Sequence, residues 1–303
     1  MTRFTRLTVA GLLSVLAGVL CVACGNNIRS PMTLKQYMAQ TGPEPAARIA
    51  YGDAPSQYAE LFEPPGEGPF PVVFLVHGGC WLEEFGGIRQ FRGMAQALAD
   101  HGVAVWNVEY RRVDEAGGGY PGTFEDIISA FDALRANAAA YRLDVGHVVG
   151  VGHSAGGFMV LWAAGRGRLP ASSPLYRPHP LPVAQVVGLG ALANLREWTD
   201  LCGFDVAKLT GVASAARPDV YADTSPAELL PNGSHMVFLN GAIDRQVPAE
   251  VATRFAAKAL AAGDHAETIV LPGVNHFDES STTSLSWATV LPLILKAAGR
   301  SPP

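Results

Sequence analysis

The stretch VVGVGHSAGGF, Val148 to Phe158, limits what this chain can fold into more than any other. An apolar run ends at Gly152, and a second one opens after Gly157. The first reads as a strand and the second as a helix beginning near Ala155, which leaves almost no chain to turn between them. A turn that tight forces the residue at its apex into a strained backbone conformation. Glycines two before and two after leave room where side chains would collide, so Gly152-His153-Ser154-Ala155-Gly156 matches the demand. The hydroxyl of Ser154 is then lifted above the sheet end, with the positive end of the following helix behind it. Gly150, Gly152 and Ala155 also fit the spacing G-x-G-x-x-A of a dinucleotide site. That site needs an acid about twenty residues on to hold a ribose, and no Asp or Glu occurs between Ser154 and Glu197.

Around this turn, strand and helix patterns alternate. ARIAYG and QYAELFEP read as two strands with a turn between them, and Val72 to Val76 as a short strand buried on both faces. A helix over IRQFRGMAQALADHG, a strand VAVWNVEY and a helix from Thr123, its expected N-cap, come next. After the Ser154 turn come the strands AQVVGLGAL, HMVFLNG and ETIVLPG, with helices at Pro248 to Ala262 and Leu285 to Ala298. This order predicts an α/β fold with a mostly parallel central sheet and helices on both faces. Two irregular excursions, Arg168 to Pro182 and Asn194 to Pro231, are lid candidates at one edge.

A serine that attacks a carbonyl creates an oxyanion, which backbone N–H groups must meet. Ala155 supplies one such group. The stretch VVFLVHGGCW puts Gly79 and Cys80 just past another buried strand, where glycine lets the backbone turn its N–H groups inward. The serine also needs a base, and the base an orienting carboxylate, each just after a strand and in the order Ser, acid, His. Asp244 in GAIDRQVP and His276 in VNHFDES meet that order, at the strand ends where open α/β sheets place ligands. Asp205 and Asp223 follow no strand, and His265 precedes one. His77, His153, Tyr110, Arg111 and Asp278 read as structural. Trp81, Phe158 and Trp198 are candidate walls of an apolar substrate pocket, each equally able to be core.

With these residues in view, HGGCW, GHSAGG, GAIDRQVP and NHFD resemble the α/β-hydrolase superfamily over about Ala47 to Lys296. They are most similar to its esterase and lipase branch with an HGGxW oxyanion loop, near kynurenine formamidases and prolyl-oligopeptidase-like hydrolases. The resemblance implies Ser154 as nucleophile, His276 as general base and acid, Asp244 as its orienter, and no cofactor or metal. It also implies a small-molecule ester as substrate. The same triad serves an arylformamidase or a peptidase, and the scaffold alone can serve as a non-catalytic binding protein. Only about 45 residues precede the strand at Val72 after Cys24, too few for the propeller of a large peptidase.

Residues 1–23 have the form of an export signal: Arg3 and Arg6, an apolar run from Leu7 to Ala23, then a polar break. LCVAC places Cys24 where a bacterial lipoprotein is acylated, so the expectation is a lipid anchor in the membrane, a tether over 24–45 and a domain over 46–300. Plain secretion and an uncleaved anchor are the alternatives. An oxidising compartment would allow Cys80 and Cys202 to pair; two buried free thiols are the other reading. The net charge of −5 is spread without a basic patch, which argues against nucleic acid as a partner. No HExxH and no paired CxxC motif suggests a metal site.

Overall fold

The computed structural model describes residues 30–302, and from Pro31 on these form one compact unit. Cys24 and the export segment lie outside the described residues. Ten strands are present among those described: β1 (Ala47–Ala50), β2 (Tyr58–Phe62), β3 (Phe70–Val76), β4 (Ala104–Val108), β5 (Leu143–His153), β6 (Gln185–Leu189), β7 (Asp200–Leu201), β8 (Phe204–Asp205), β9 (His235–Gly241) and β10 (His265–Leu271). The helices are α1 (Leu34–Met38), α2 (Arg92–Ala99), α3 (Gly122–Asn137), α4 (Ala155–Gly165), α5 (Ala207–Thr210), α6 (Ala249–Ala262) and α7 (Trp287–Ala297).

Eight strands form one sheet in the order β1-β2-β4-β3-β5-β6-β9-β10. β1 and β2 pair antiparallel, β2 meets β4 antiparallel, and all further pairings are parallel. The central strands read as unbroken apolar runs because both of their faces are covered. Along β3, Val72, Phe74 and Val76 join the core built with α3, α4 and α6, while Val73 and Leu75 join the core built with α2 and α7. This is the α/β-hydrolase architecture. Pairing of Val76 with Gly152 and of His153 with Leu189 lines up the carboxyl ends of β3, β5 and β6, so their outgoing loops meet.

Four local expectations change. The helix expected from IRQF opens instead as a 3-10 turn over Ile88–Phe91, where the Ile88 N–H donates to the Glu109 carboxylate, and the α-helix starts at Arg92. Thr123 is not an N-cap. It lies inside α3, and its hydroxyl accepts from the Gly119 N–H and donates to the Arg111 carbonyl. The excursion at 194–231 contains a small hairpin, β7–β8, beside α5 and short 3-10 turns. The tether expected over 24–45 is docked along part of its length. Asn275 donates to the Met32 carbonyl at 2.7 Å, Met32 N–H reaches Asp278, and Tyr37 of α1 is buried. Apolar Tyr37 finds a partner surface, which a purely polar spacer would not.

Candidate active site

Ser154 sits between β5 and α4 with φ 54° and ψ −121°, a conformation a residue with a side chain adopts only under constraint. Its N–H donates to the Leu189 carbonyl at 2.9 Å, which holds the turn to β6. The flanking glycines are there for space. A Cβ on Gly156 would lie 2.1 Å from the Val76 carbonyl oxygen, and one on Gly152 would lie 2.3 Å from that of Gly156.

The loop after β3 reaches the same point. A Cβ on Gly78 would lie 3.1 Å from the Ser154 Cβ and 2.9 Å from the His153 carbonyl oxygen. The chain then passes through positive φ at three successive residues, Gly79 (105°), Cys80 (53°) and Trp81 (55°). Among the described residues, no protein group accepts from the N–H of Gly79, Cys80 or Ala155. These are the donors expected for an oxyanion. The loop is anchored from below. His77 Nε2 lies 2.8 Å from Glu109, which Arg112 also contacts at 3.0 Å, and the Tyr110 hydroxyl donates to the His77 carbonyl. Burial would raise the Glu109 carboxyl, but the His77 and Arg112 partners hold it down to about 2. Arg111 is forked onto Asp126, so His77, Tyr110 and Arg111 are each engaged by bonds within the protein.

The candidate base and its acid arrive from the other side. Gly241 ends β9, and its Cα approaches the loop after β10 so closely that a Cβ would lie 2.0 Å from the Val274 carbonyl oxygen. Asp244 follows, with one oxygen accepting from the N–H groups of Gln246 (2.8 Å) and Val247 (2.9 Å). Its other oxygen lies 2.8 Å from His276 Nδ1. An acid held this way keeps the proton on Nδ1 and leaves Nε2 as acceptor. Ser154, Asp244 and His276 are all nearly buried, at 5%, 7% and 5% exposure. Asp223 and Asp205 have other work, the first paired with Arg217 and the second accepting from the Ala207 N–H. Asp278 accepts from the Asn275 N–H within its turn.

Two further groups belong here. His153, read as packing, donates from Nε2 to the His276 carbonyl at 2.9 Å and ties the serine turn to the base loop. Burial, and then the neighbouring His276, keep its pKa well below the ordinary imidazole value, so it stays neutral. Glu279 is fully buried beside His276, with Oε2 3.5 Å from Nδ1. Its sequence signal was faint, an acid three residues past the base and next to Asp278. Nitrogen and oxygen atoms of His153, His276 and Glu279 approach within 4.8 Å of one another. Within the cluster His276 Nδ1 is engaged by Asp244 and His153 Nε2 by the His276 carbonyl.

Burial disfavours the charged form of His276, but its bond to Asp244, the close approach of Glu279 and the charges of both carboxylates outweigh this and raise it to about 9. A base must be neutral. The acid limb of kcat/KM against pH is therefore expected above the ordinary imidazole value of about 6.5. A limb at or below that value would show that the two carboxylates do not govern His276.

Ser154 and His276 open on one cavity of about 370 Å³ with Gly79, Leu192, Val247, Phe277 and the Cys80–Cys202 disulfide in its walls. Tyr37 and Leu34 of α1 complete it. Of the three aromatics expected there, only Trp198 lines it. Trp81 and Phe158 are fully buried core residues in edge-to-face contact at 5.4 Å, Phe158 within the almost wholly enclosed helix α4 and Trp81 packed against it.

The sequence profile of the BD-FAE family matches residues 60–259, more than half of the chain. The chain belongs to the BD-FAE family. The match starts in β2 and ends within α6, so it takes in Ser154 and Asp244. A curated relative, versiconal hemiacetal acetate esterase of Dothistroma septosporum, is 29% identical over 120 residues, 39% of this chain and 35% of that protein. The chain thus spans about a third of that relative's length. Among solved structures, a truncated carbohydrate esterase from gut microbiota is similar with a TM-score of 0.70 at 18% identity, over 90% of this chain and 100% of that one. Thermogutta terrifontis esterase 2 phosphonylated by sarin is similar with a TM-score of 0.69 at 18% identity, over 86% of this chain and 99% of that one. These likenesses establish the α/β-hydrolase fold for this BD-FAE member.

Proposed function

We propose that this BD-FAE member is a serine hydrolase that cleaves carboxylic esters of small, largely uncharged substrates through an acyl-enzyme on Ser154. The observation that carries this is the arrangement at the strand ends. A strained serine and an Asp244-oriented His276 share one cavity, beside backbone N–H groups that have no acceptor. His276 Nε2 takes the proton of the Ser154 hydroxyl as Oγ bonds to the carbonyl carbon. The oxyanion faces the N–H groups of Gly79, Cys80 and Ala155. Collapse breaks the bond to the alcohol oxygen, which leaves with the proton from His276, and water repeats the sequence to release the acid. An apolar cavity with no charged wall other than the base suits a neutral ligand.

The test is turnover of p-nitrophenyl acetate, butyrate and octanoate, an acetylated sugar and N-formylkynurenine, alongside labelling by a fluorophosphonate probe. Ester turnover that the probe abolishes is expected. Turnover of the formamide alone would move the reading to an arylformamidase, and no labelling of folded protein would make it a binding protein. We also propose export with a lipid on Cys24, supported by the form of residues 1–23 and by a disulfide suited to an oxidising compartment. The mass of the mature N-terminus tests it.

A further inference from the structure

The cluster behind the base holds more acid than one triad needs. We infer that Glu279 is a second orienting carboxylate for His276, a positioning residue that shares the Nδ1 proton with Asp244. This rests on the serine-hydrolase reading above.

Three loops converge on this side chain. Glu279 Oε1 accepts from the Gly241 N–H at 2.5 Å, at the end of β9. Its Oε2 points to the base, 3.5 Å from His276 Nδ1 and 3.8 Å from His153 Nε2. Gly190, after β6, has φ 50°, and a Cβ there would lie 2.0 Å from Oε2. The fold thus leaves a gap at Gly190 that this carboxylate fills.

Oε2 has no full hydrogen bond among the described residues, although Glu279 is fully buried. An unpaired buried carboxylate oxygen is costly unless a cation forms beside it. The one cation that catalysis creates here is the His276 imidazolium. Asp244 meets its Nδ1–H at bonding distance, and Glu279 lies next nearest. The titratable groups around Glu279 are His276 and Asp244, then His153, with Tyr37 beyond His153. Burial pushes the Glu279 carboxyl up to about 7 against the pull of His276, so it can take or release a proton near neutrality.

The test compares wild type, Glu279→Gln, Asp244→Asn and the double variant of the full chain. The readout is the rate at which a fluorophosphonate probe labels Ser154 across pH, which needs the base but no particular acyl substrate. Gln keeps an oxygen for the Gly241 N–H. Losing the sole orienting acid of a triad costs about 10⁴ in rate. With Glu279 in reserve, Asp244→Asn is expected to cost only about 10² and the double variant about 10⁴. Glu279→Gln alone removes a negative neighbour from His276, so its acid limb moves to lower pH.

A double variant no slower than Asp244→Asn overturns the proposal, as does an unmoved acid limb in Glu279→Gln. If the double variant fails to fold, the limb of Glu279→Gln decides alone. Ester turnover is followed on the same samples. The expected labelling ratios without any ester turnover would support Glu279 and overturn the ester reading alone.

Discussion

Ser154→Ala is expected to lower kcat by about 10⁶ and leave the fold intact. In the proposed mechanism base, orienting acid and nucleophile act as one unit, so losing the hydroxyl would strand His276 with nothing to deprotonate. On the same reading, what remains would come from the N–H groups of Gly79, Cys80 and Ala155, whose positions do not depend on the hydroxyl. No residue contacts are lost from the core, because Ser154 holds its place through its backbone bond to Leu189. A companion variant separates chemistry from strain. Ser154→Gly should be as inactive as Ser154→Ala but should melt higher, since a side chain at φ 54° costs of order 1–3 kcal/mol, and glycine's extra unfolded-state entropy offsets only part of the relief. Initial rates and melting temperatures of both check this. An alanine variant with most of its activity would remove Ser154 from the chemistry. A glycine variant that melts below it would show that the turn is not strained.

The second large effect concerns the Cys80–Cys202 bond, which joins residues 122 apart in sequence. Cross-links that close long loops typically stabilise by about 2–5 kcal/mol. Replacing both cysteines with serine should lower the melting temperature by roughly 5–15 °C. Kinetics should change as well. Cys80 lies in the oxyanion loop and Cys202 at the turn of the β7–β8 hairpin, and both face the cavity. Freeing the hairpin loosens one wall, so KM should rise more than kcat falls. Melting curves and Michaelis parameters with and without a thiol reductant measure both. Equal melting temperatures would mean that the hairpin is held by its own packing.

The serine turn, the oxyanion loop and the Asp244–His276 pair were legible because each is a local pattern tied to a strand end. The strand ends were in turn marked by unbroken apolar runs. Trp81 and Phe158 were not legible as core. Phe158 belongs to a helix buried almost all round, and Trp81 follows a loop whose positive φ at Cys80 and Trp81 residue type does not announce. Tyr37 falls in the expected tether because the segment after Cys24 is polar and turn-rich, and its partner surface is assembled from residues as distant as His153 and Phe277. The disulfide could be left only as an option, since its two loops are set side by side by tertiary packing. Glu279 could not be told from its neighbour Asp278, because only the course of the loop decides which of the two acids turns inward to the base.

The bond from His153 to the carbonyl of His276 has a practical consequence. It grips the main chain of the base loop and ignores the side chain there. A chain with the imidazole removed should keep its loops, its oxyanion donors and its cavity in register. Such a variant would be an intact but silent receptor, suited to capturing an unknown ester from a mixture and holding it uncleaved for identification.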